Sequence, residues 1–274
     1  MNYTIARDVM QGYIQPFGFI FLRVIGALVL FWLLHATISR EKIERGDWLR
    51  LIACGAFGVA ANQLMFFQGL SLTSPINAAI MMTTNPVLVL LASAILLGNT
   101  ITRQKLIGIG LGVCGAVMVI TLKGNSSFGA DTWMGDLLVF FNSLSYGIYL
   151  VIVQPLMKKY QPLTVIKWVF TFGFLFVFPF GIGQFSAIEW ETFTWVIALE
   201  TAFVVVCTTF FAYLLNIFAL KNTNPSTVSV YIYSQPILAA LFAISLGKDS
   251  LDWIKIVAAL LIFSGVFLVS RKFS

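Results

Sequence analysis

The residues of this sequence that could do chemistry are few, and most of them are neutral. Glu200 and Arg23 stand inside long apolar runs, Cys54, Cys114 and Cys207 are scattered through others, and His35 is the single histidine. One His and three dispersed Cys supply neither the ligand spacing of a zinc site nor a Ser-His-Asp constellation. No Gly-rich loop runs into Gly-Lys-Ser/Thr, so no phosphate cradle is encoded. No cofactor and no metal is expected, and an enzyme would need a cluster of acids that is missing here. The cysteines read as small buried hydrophobes. What remains is a set of polar side chains at helical spacing. Asn77, Met81 and Asn85 are four apart and share one helix face. Thr227, Tyr231 and Gln235 repeat that face 150 positions later, and each series ends just before a proline, Pro86 and Pro236. Proline removes a backbone hydrogen bond, kinks the helix and leaves a carbonyl free. Asn142 and Tyr146, with Tyr149, form a third stripe. Asn62 and Gln63 are adjacent amides in an apolar run, and at least one should face inward.

Two readings fit these faces. They line a substrate cavity with amides and phenols, or they are interhelical hydrogen bonds holding a bundle, worth about 0.6 kcal/mol per pair. Their recurrence before a proline in two places favours the cavity. Glu200 is a proton-coupling residue by the logic of an intramembrane acid, or it snorkels to the headgroups. Arg23 is structural or gating, bonding to carbonyls or headgroups, and a pair with Glu200 is open.

The elements that must position these residues follow from composition. Of 274 residues, 59% are hydrophobic and 10% are charged. So little charge excludes disorder, a coiled coil and a solvated soluble domain. It leaves an all-α integral membrane protein, in which the lipid bilayer is the first partner. A span needs about 20 mostly apolar residues. Nine runs meet that length: Pro16–Ile38, Trp48–Leu70, Pro75–Leu97, Gln104–Leu122, Gly135–Met157, Thr164–Gln184, Phe193–Leu220, Val228–Leu246 and Trp253–Val269. Trp168 reads as an interfacial anchor. Gly108, Gly112 and Ala116 have small-xxx-small spacing, which suits close packing inside the bundle.

The net charge is +6, but the basic residues form no single patch, so no nucleic-acid partner is expected. Alternate connections hold Arg40, Lys42, Arg45, Arg50, Arg103, Lys105, Lys158, Lys159, Lys167, Lys221, Arg271 and Lys272; the other side holds Arg7, Lys123, Lys248 and Lys255. Twelve against four is a positive-inside bias that puts the C-terminus in the cytoplasm.

The chain also resembles itself. Pro75 matches Pro225, Asn85-Pro86 matches Gln235-Pro236, Thr73 matches Thr223 and Gly115 matches Gly265, all 150 apart. The paired helices are five spans apart, an odd number, so the two copies run in opposite senses. The first copy is read as residues 1–122 and the second as 135–274. Gln15-Pro16 pairs with Gln161-Pro162, yet the second copy has a full span before that point and the first only Met1–Gly12. Nine visible transmembrane helices of an expected ten follow, in two inverted five-helix repeats, with the first helix largely missing.

The stretch GLSLTSPINAAIMMTTNPVLVLLASAILLGNTITRQKLIGIGLGVCGAVMVI resembles the fourth and fifth helices of an EamA-type member of the drug/metabolite transporter superfamily. ALKNTNPSTVSVYIYSQPILAALFAISLGKDSLDWIKIVAALLIFSGVFLV resembles the ninth and tenth, and GDLLVFFNSLSYGIYLVIVQPLMKKY the sixth. Arg23 sits where that family often has an Arg. The chain departs from the family at Gly98-Asn99 and Gly247-Lys248, where members often have Gly-Glu. The resemblance implies a secondary transporter in the cytoplasmic (inner) membrane. It would move small metabolites, amino acids or similar amphipathic molecules, by alternating access. Proton-coupled efflux is the expected mode, with protons as counter-ion. Uptake and a non-transporting receptor or assembly role are the alternatives, and the sequence is silent on oligomeric state.

Overall fold

The computed structural model describes residues 5–6, 9–10, 12–36, 41–98, 102–121, 132–222, 242, 244–247 and 252–270. The chain runs through α1 (Pro16–His35), α2 (Trp48–Gly55), α3 (Asn62–Leu72), α4 (Pro75–Met82), α5 (Asn85–Leu97), α6 (Arg103–Thr121), α7 (Trp133–Lys159), α8 (Pro162–Ser186), α9 (Trp195–Val205), α10 (Ala212–Asn222) and α11 (Trp253–Ser270). Two π-helical segments, Ala56–Ala61 and Val206–Phe211, join α2 to α3 and α9 to α10. Among the described residues no strand occurs.

Six stretches of the described residues are long and apolar enough to cross a bilayer: Pro16–His35, Arg45–Leu72, Pro75–Leu96, Trp133–Lys159, Pro162–Ser186 and Trp195–Lys221. Of the nine expected spans these described stretches account for six, and the other three are not confirmed among the described residues. The run expected at Gln104–Leu122 is helix α6, which opens with Arg103 and Lys105 and is interrupted by glycines. The run expected at Trp253–Val269 is α11, where the apolar stretch among the described residues is the shorter Ile256–Gly265. Val228–Leu246 lies largely outside the described residues.

The helix starts obey local chemistry. Pro16, Pro75 and Pro162 stand at first positions, where the missing N–H has no partner to lose. Ser74 caps α4 by accepting from Asn77 N at 3.1 Å, which satisfies one orphan donor. At the start of α1 the capping group comes from another helix. Gln184 Oε1 on α8 accepts from Phe17 N at 2.8 Å and Gly18 N at 3.0 Å. Backbone donors left bare in hydrocarbon would cost several kcal/mol each, on the order of a lost hydrogen bond in an apolar medium.

The expected single helix Pro75–Leu97 is broken into α4 and α5. Thr83 N and Thr84 N donate to Ile80 O and Met81 O at 3.0 and 3.1 Å, the pattern of a tight turn. Pro86 has no N–H to continue the α-helical ladder there. The carbonyls of Ile80 and Met81 do not stay open to a cavity, because the hydroxyls of Thr83 and Thr84 cover them at 2.6 and 2.7 Å.

Packing pairs α1 with α8, α6 with α11, and α7 with both α3 and α5. Gly108 and Gly112 of α6 pack against α11. A Cβ on Gly265 of α11 would run into the backbone of Gly108 and Gly112. A Cβ on Gly58 would strike the Tyr149 ring, so only glycine lets α7 approach the first π segment this closely. Phe19, Phe31, Phe67 and Phe170 form the fully buried aromatic centre, while Leu175, Phe178 and Phe180 on α8 are exposed, as a lipid-facing surface requires.

Candidate functional site

The first π segment packs against α7 and α8 and the second against α1, and polar side chains of α1, α7 and α10 bond to one or the other. Arg23 on α1 is 3% exposed. Its Nε and Nη2 both donate to Thr209 Oγ1, at 2.9 and 2.7 Å. Its Cζ lies 4.1 Å from the Phe67 ring centroid and 5.8 Å from that of Phe19. Cation–π contact offsets part of the cost of burying the charge. Thr209 stands in the second π segment, and its hydroxyl donates onward to Val204 O at 2.8 Å.

A π turn inserts a residue into the helical ladder and so leaves carbonyls for other donors. Side chains of α7 and α10 take them here. Ser145 Oγ donates to Phe57 O at 2.8 Å. The Tyr213 hydroxyl lies 3.2 Å from both Gly58 O and Asn62 Oδ1, its one proton shared between the two acceptors. Asn142 Nδ2 donates to Asn62 O at 2.6 Å, and Asn216 Nδ2 to the Tyr146 hydroxyl at 2.7 Å. Several buried polar atoms at and around this centre have no hydrogen-bond partner: Arg23 Nη1, both amide atoms of Gln63, Asn142 Oδ1 and Thr201 Oγ1.

The structure joins Asn142 to Asn62 through the Asn62 carbonyl, with Tyr146 one turn along α7, and places Met81 fully inside the core. It separates Asn77 and Asn85 from that region. Asn77 turns to the end of the bundle, where its Nδ2 lies 3.4 Å from Asp136 Oδ2. Asn85 Nδ2 donates to Ser143 O at 2.9 Å. Both amides thus spend a donor on α7, which is how a packing contact would look, though each retains a buried oxygen with no partner. Pro86 is buried at the start of α5. Glu200 is half-buried on α9, one turn before Val204. It forms no pair with Arg23, whose bonded nitrogens both go to Thr209 and whose Nη1 has no partner. Thr227, Tyr231, Gln235 and Pro236 lie outside the described residues. Among the described residues no group of three or more His, Cys, Asp or Glu could hold a metal.

A second polar region caps one end of the bundle. Lys159 Nζ reaches Glu44 at 2.9 Å and Asp47 at 3.0 Å. The Tyr160 hydroxyl donates to Asp47 at 2.8 Å and accepts from Glu44 N at 3.1 Å. Gln161 N donates to Glu41 Oε2 at 2.9 Å. The connection before α2 and the one after α7 therefore lie on the same side, as the charge pattern requires.

A helical bundle with broken and π-bulged spans around buried polar groups is the frame of a membrane transporter, and the comparisons agree. The EamA-like transporter family model matches residues 2–121 and again 133–271. The chain belongs to the EamA-like transporter family. An uncharacterized transporter of Archaeoglobus fulgidus is 26% identical over 263 residues, covering 94% of this chain and 89% of that protein. Transporter YyaM of Bacillus subtilis, also uncharacterized, is 24% identical and covers 94% and 86%. A protein of Streptantibioticus cattleyicolor named probable terminal-alkyne amino-acid exporter is 24% identical over 133 residues, which is 48% of this chain and 43% of that protein. A solved crystal structure shares the fold at a TM-score of 0.63 and 16% identity, covering 97% of this chain and 93% of its own.

Within this EamA-family chain, sequence reasoning missed several polar residues. Asp136 is fully buried at the start of α7, where it accepts from the Thr73 hydroxyl and Asn77. It escaped notice because it sits at the edge of its apolar run. Lys167 reads as a loop cation but is buried on α8. Its Nζ lies 3.4 Å from His35 Nδ1 and 4.4 and 4.9 Å from the rings of Trp32 and Trp168. Trp168 is thereby part of a packed cluster with Trp32, Trp48 and Phe172 rather than an isolated anchor. Thr209 and Asn216 carried a usable signal, since a polar residue in an apolar span should face a partner.

Proposed function

We propose that this EamA-family protein is a secondary transporter that moves small amphipathic metabolites, amino acids foremost, out across the cytoplasmic membrane by alternating access, in exchange for protons. One observation carries the reading. Arg23, bonded to Thr209 of the second π segment, keeps a buried nitrogen with no partner, and the segments Ala56–Ala61 and Val206–Phe211 are 150 residues apart. That spacing equals the internal sequence offset, so the same irregularity recurs at the same place in both halves. It supports two repeats, residues 1–122 and 135–274, arranged with opposite topology around a central site. Interruptions of this kind at a repeat interface are where transporters place substrate. Asn62, Asn142 and Tyr146 belong to that site. The sequence sets Thr227, Tyr231 and Gln235 at the 150-residue offset from Asn77, Met81 and Asn85, and that matching face of the other half is the proposed counterpart to the bundle packing of Asn77 and Asn85. The likeness of about half the chain to the Streptantibioticus cattleyicolor protein named probable terminal-alkyne amino-acid exporter supports the substrate class and the outward direction. Glu200 is the proton-coupling residue in this reading, since it is an ionisable group on a spanning helix one turn from the Val204–Thr209–Arg23 chain. The clustering of basic residues on the Glu44–Lys159 side supports a cytoplasmic location for that side and for the C-terminus.

The test is export from proteoliposomes preloaded with an amino-acid mixture, with and without an imposed pH gradient. Release that follows the gradient, and loses that dependence in Glu200→Gln, is the expected result. Release indifferent to the gradient removes the proton, and unaltered coupling in Glu200→Gln removes that residue from the mechanism. A cysteine at Glu44 should react only from the cytoplasmic side.

A further inference from the structure

Arg23 has more hydrogen-bonding capacity than its surroundings use. A guanidinium carries five N–H donors in a fixed fork. Thr209 Oγ1 takes the side of the fork formed by Nε and Nη2. The end of the fork, formed by Nη1 and the second proton of Nη2, stays available, and Nη1 has no partner at all. Among the described residues no carboxylate lies within ion-pair distance of Arg23. A buried cation facing only a hydroxyl and two aromatic rings is costly, and an anion at the open end would offset that cost. A second polar group stands on the helix face that carries one of the aromatic contacts of Arg23. Gln63 and Phe67 are four apart on α3, so they share a face, and Phe67 lies against the Arg23 guanidinium. Gln63 is 2% exposed, and its amide makes no hydrogen bond of good geometry, with the Tyr213 hydroxyl as a neighbour. Tyr213 lies within electrostatic reach of Arg23 and beside Gln63.

We propose that Arg23 is the carboxylate-binding residue of the transport site: the Nη1/Nη2 end of its guanidinium takes the carboxylate of the transported molecule, and the Gln63 amide completes the contact. The geometry fits a single planar carboxylate, which a guanidinium fork binds with two parallel hydrogen bonds. The rest of the molecule lies against the apolar aromatic wall that includes Phe19 and Phe67. Thr209 acts as a positioning residue that holds the fork at the correct angle. The site is closed in this structure, since both Arg23 and Gln63 are buried. This inference rests on the transport reading above and deepens it, assigning to Arg23 a substrate role in place of a structural one.

The experiment compares acids with amides of the same side chain. Proteoliposomes of the full chain are loaded with the free L-amino acids or with their C-terminal amides, and release is read by mass spectrometry. Thermal stabilisation of the purified protein by the same two sets is measured in parallel. Some free acids are expected to leave faster than from protein-free vesicles, and their amides to leave about ten- to a hundredfold more slowly than the acids, the loss that one charge-assisted hydrogen bond represents. Arg23→Gln should remove the preference for the acid, and Arg23→Lys should recover only part of it, because an ammonium cannot form the fork. The comparison of acid with amide in the unaltered protein stands even where a variant fails to fold. Equal release of acids and amides overturns the carboxylate site and leaves the transport reading intact. Stabilisation by acids alone without release of either set supports the site and overturns transport of these probes. Neither release nor stabilisation overturns both.

Discussion

The middle of the bundle and its Glu44–Lys159 end are both built on a basic side chain, and they use it in opposite ways. Lys159 is half-exposed and spends its charge on Glu44 and Asp47, while Tyr160 ties Asp47 to the Glu44 backbone. The donors and acceptors of that end serve each other. Arg23 is buried, bonds one neutral hydroxyl through two nitrogens and leaves the third without a partner. Water can solvate any charge left over at the end of the bundle, so a fully paired network there needs no function to explain it. No such relief exists at mid-span, where a polar group without a partner is retained against its cost. Completeness marks the end network as a fastening between helices. Incompleteness is the ground on which the substrate site is proposed at the centre.

That contrast can be broken at four points of decreasing effect. The largest concerns the close approach that forms the centre. Gly58→Leu puts a side chain into the Tyr149 ring and should destabilise the protein by about 3 kcal/mol, the top of the overpacking range, with export lost as well. Gly46→Leu has open space around its Cβ and should leave the melting temperature in detergent unchanged. Equal melting of the two variants would mean that α7 does not pack on the π segment as described. Next comes Thr209→Val, which takes the acceptor from two charged donors. A loss of about 1.5–3 kcal/mol is expected for a hydrogen bond to a charged group, with Thr209→Ser close to wild type. If valine melts like threonine, Arg23 is held by something else. The end network should give less. Asp47→Asn weakens two contacts of a buried carboxylate, about 1 kcal/mol in denaturation measurements. The smallest effect belongs to Glu44→Gln. Its side chain is 68% exposed, so the change should be about 0.2–1 kcal/mol at low salt and fade as ionic strength rises. A Glu44→Gln loss that exceeds that of Thr209→Val and resists salt would reverse the assignment of the two regions.

The sequence by itself determined a great deal about this protein. Its composition dictated a helical membrane protein, because only helices satisfy their own backbone in lipid and only lipid tolerates so apolar a surface. Its 150-residue self-similarity has the same spacing as the two π segments, and the adjacent amides Asn62 and Gln63 are both buried. Other features were decided by tertiary structure. Periodicity places Asn77, Met81 and Asn85 on one face but cannot say that Thr83 and Thr84 will break the helix between them. It cannot choose between a cavity and a neighbouring helix either, and Asn85 turned to the Ser143 carbonyl. Arg23 was visible at once as a charge in an apolar run, but its meaning depends on Thr209, 186 residues away, and on Gln63 lying on the same face as Phe67. The physical reason is that hydrophobic patterning is local and acts along one helix. Pairing of polar groups acts across helices, so only the assembled bundle shows which donors are spent and which are kept.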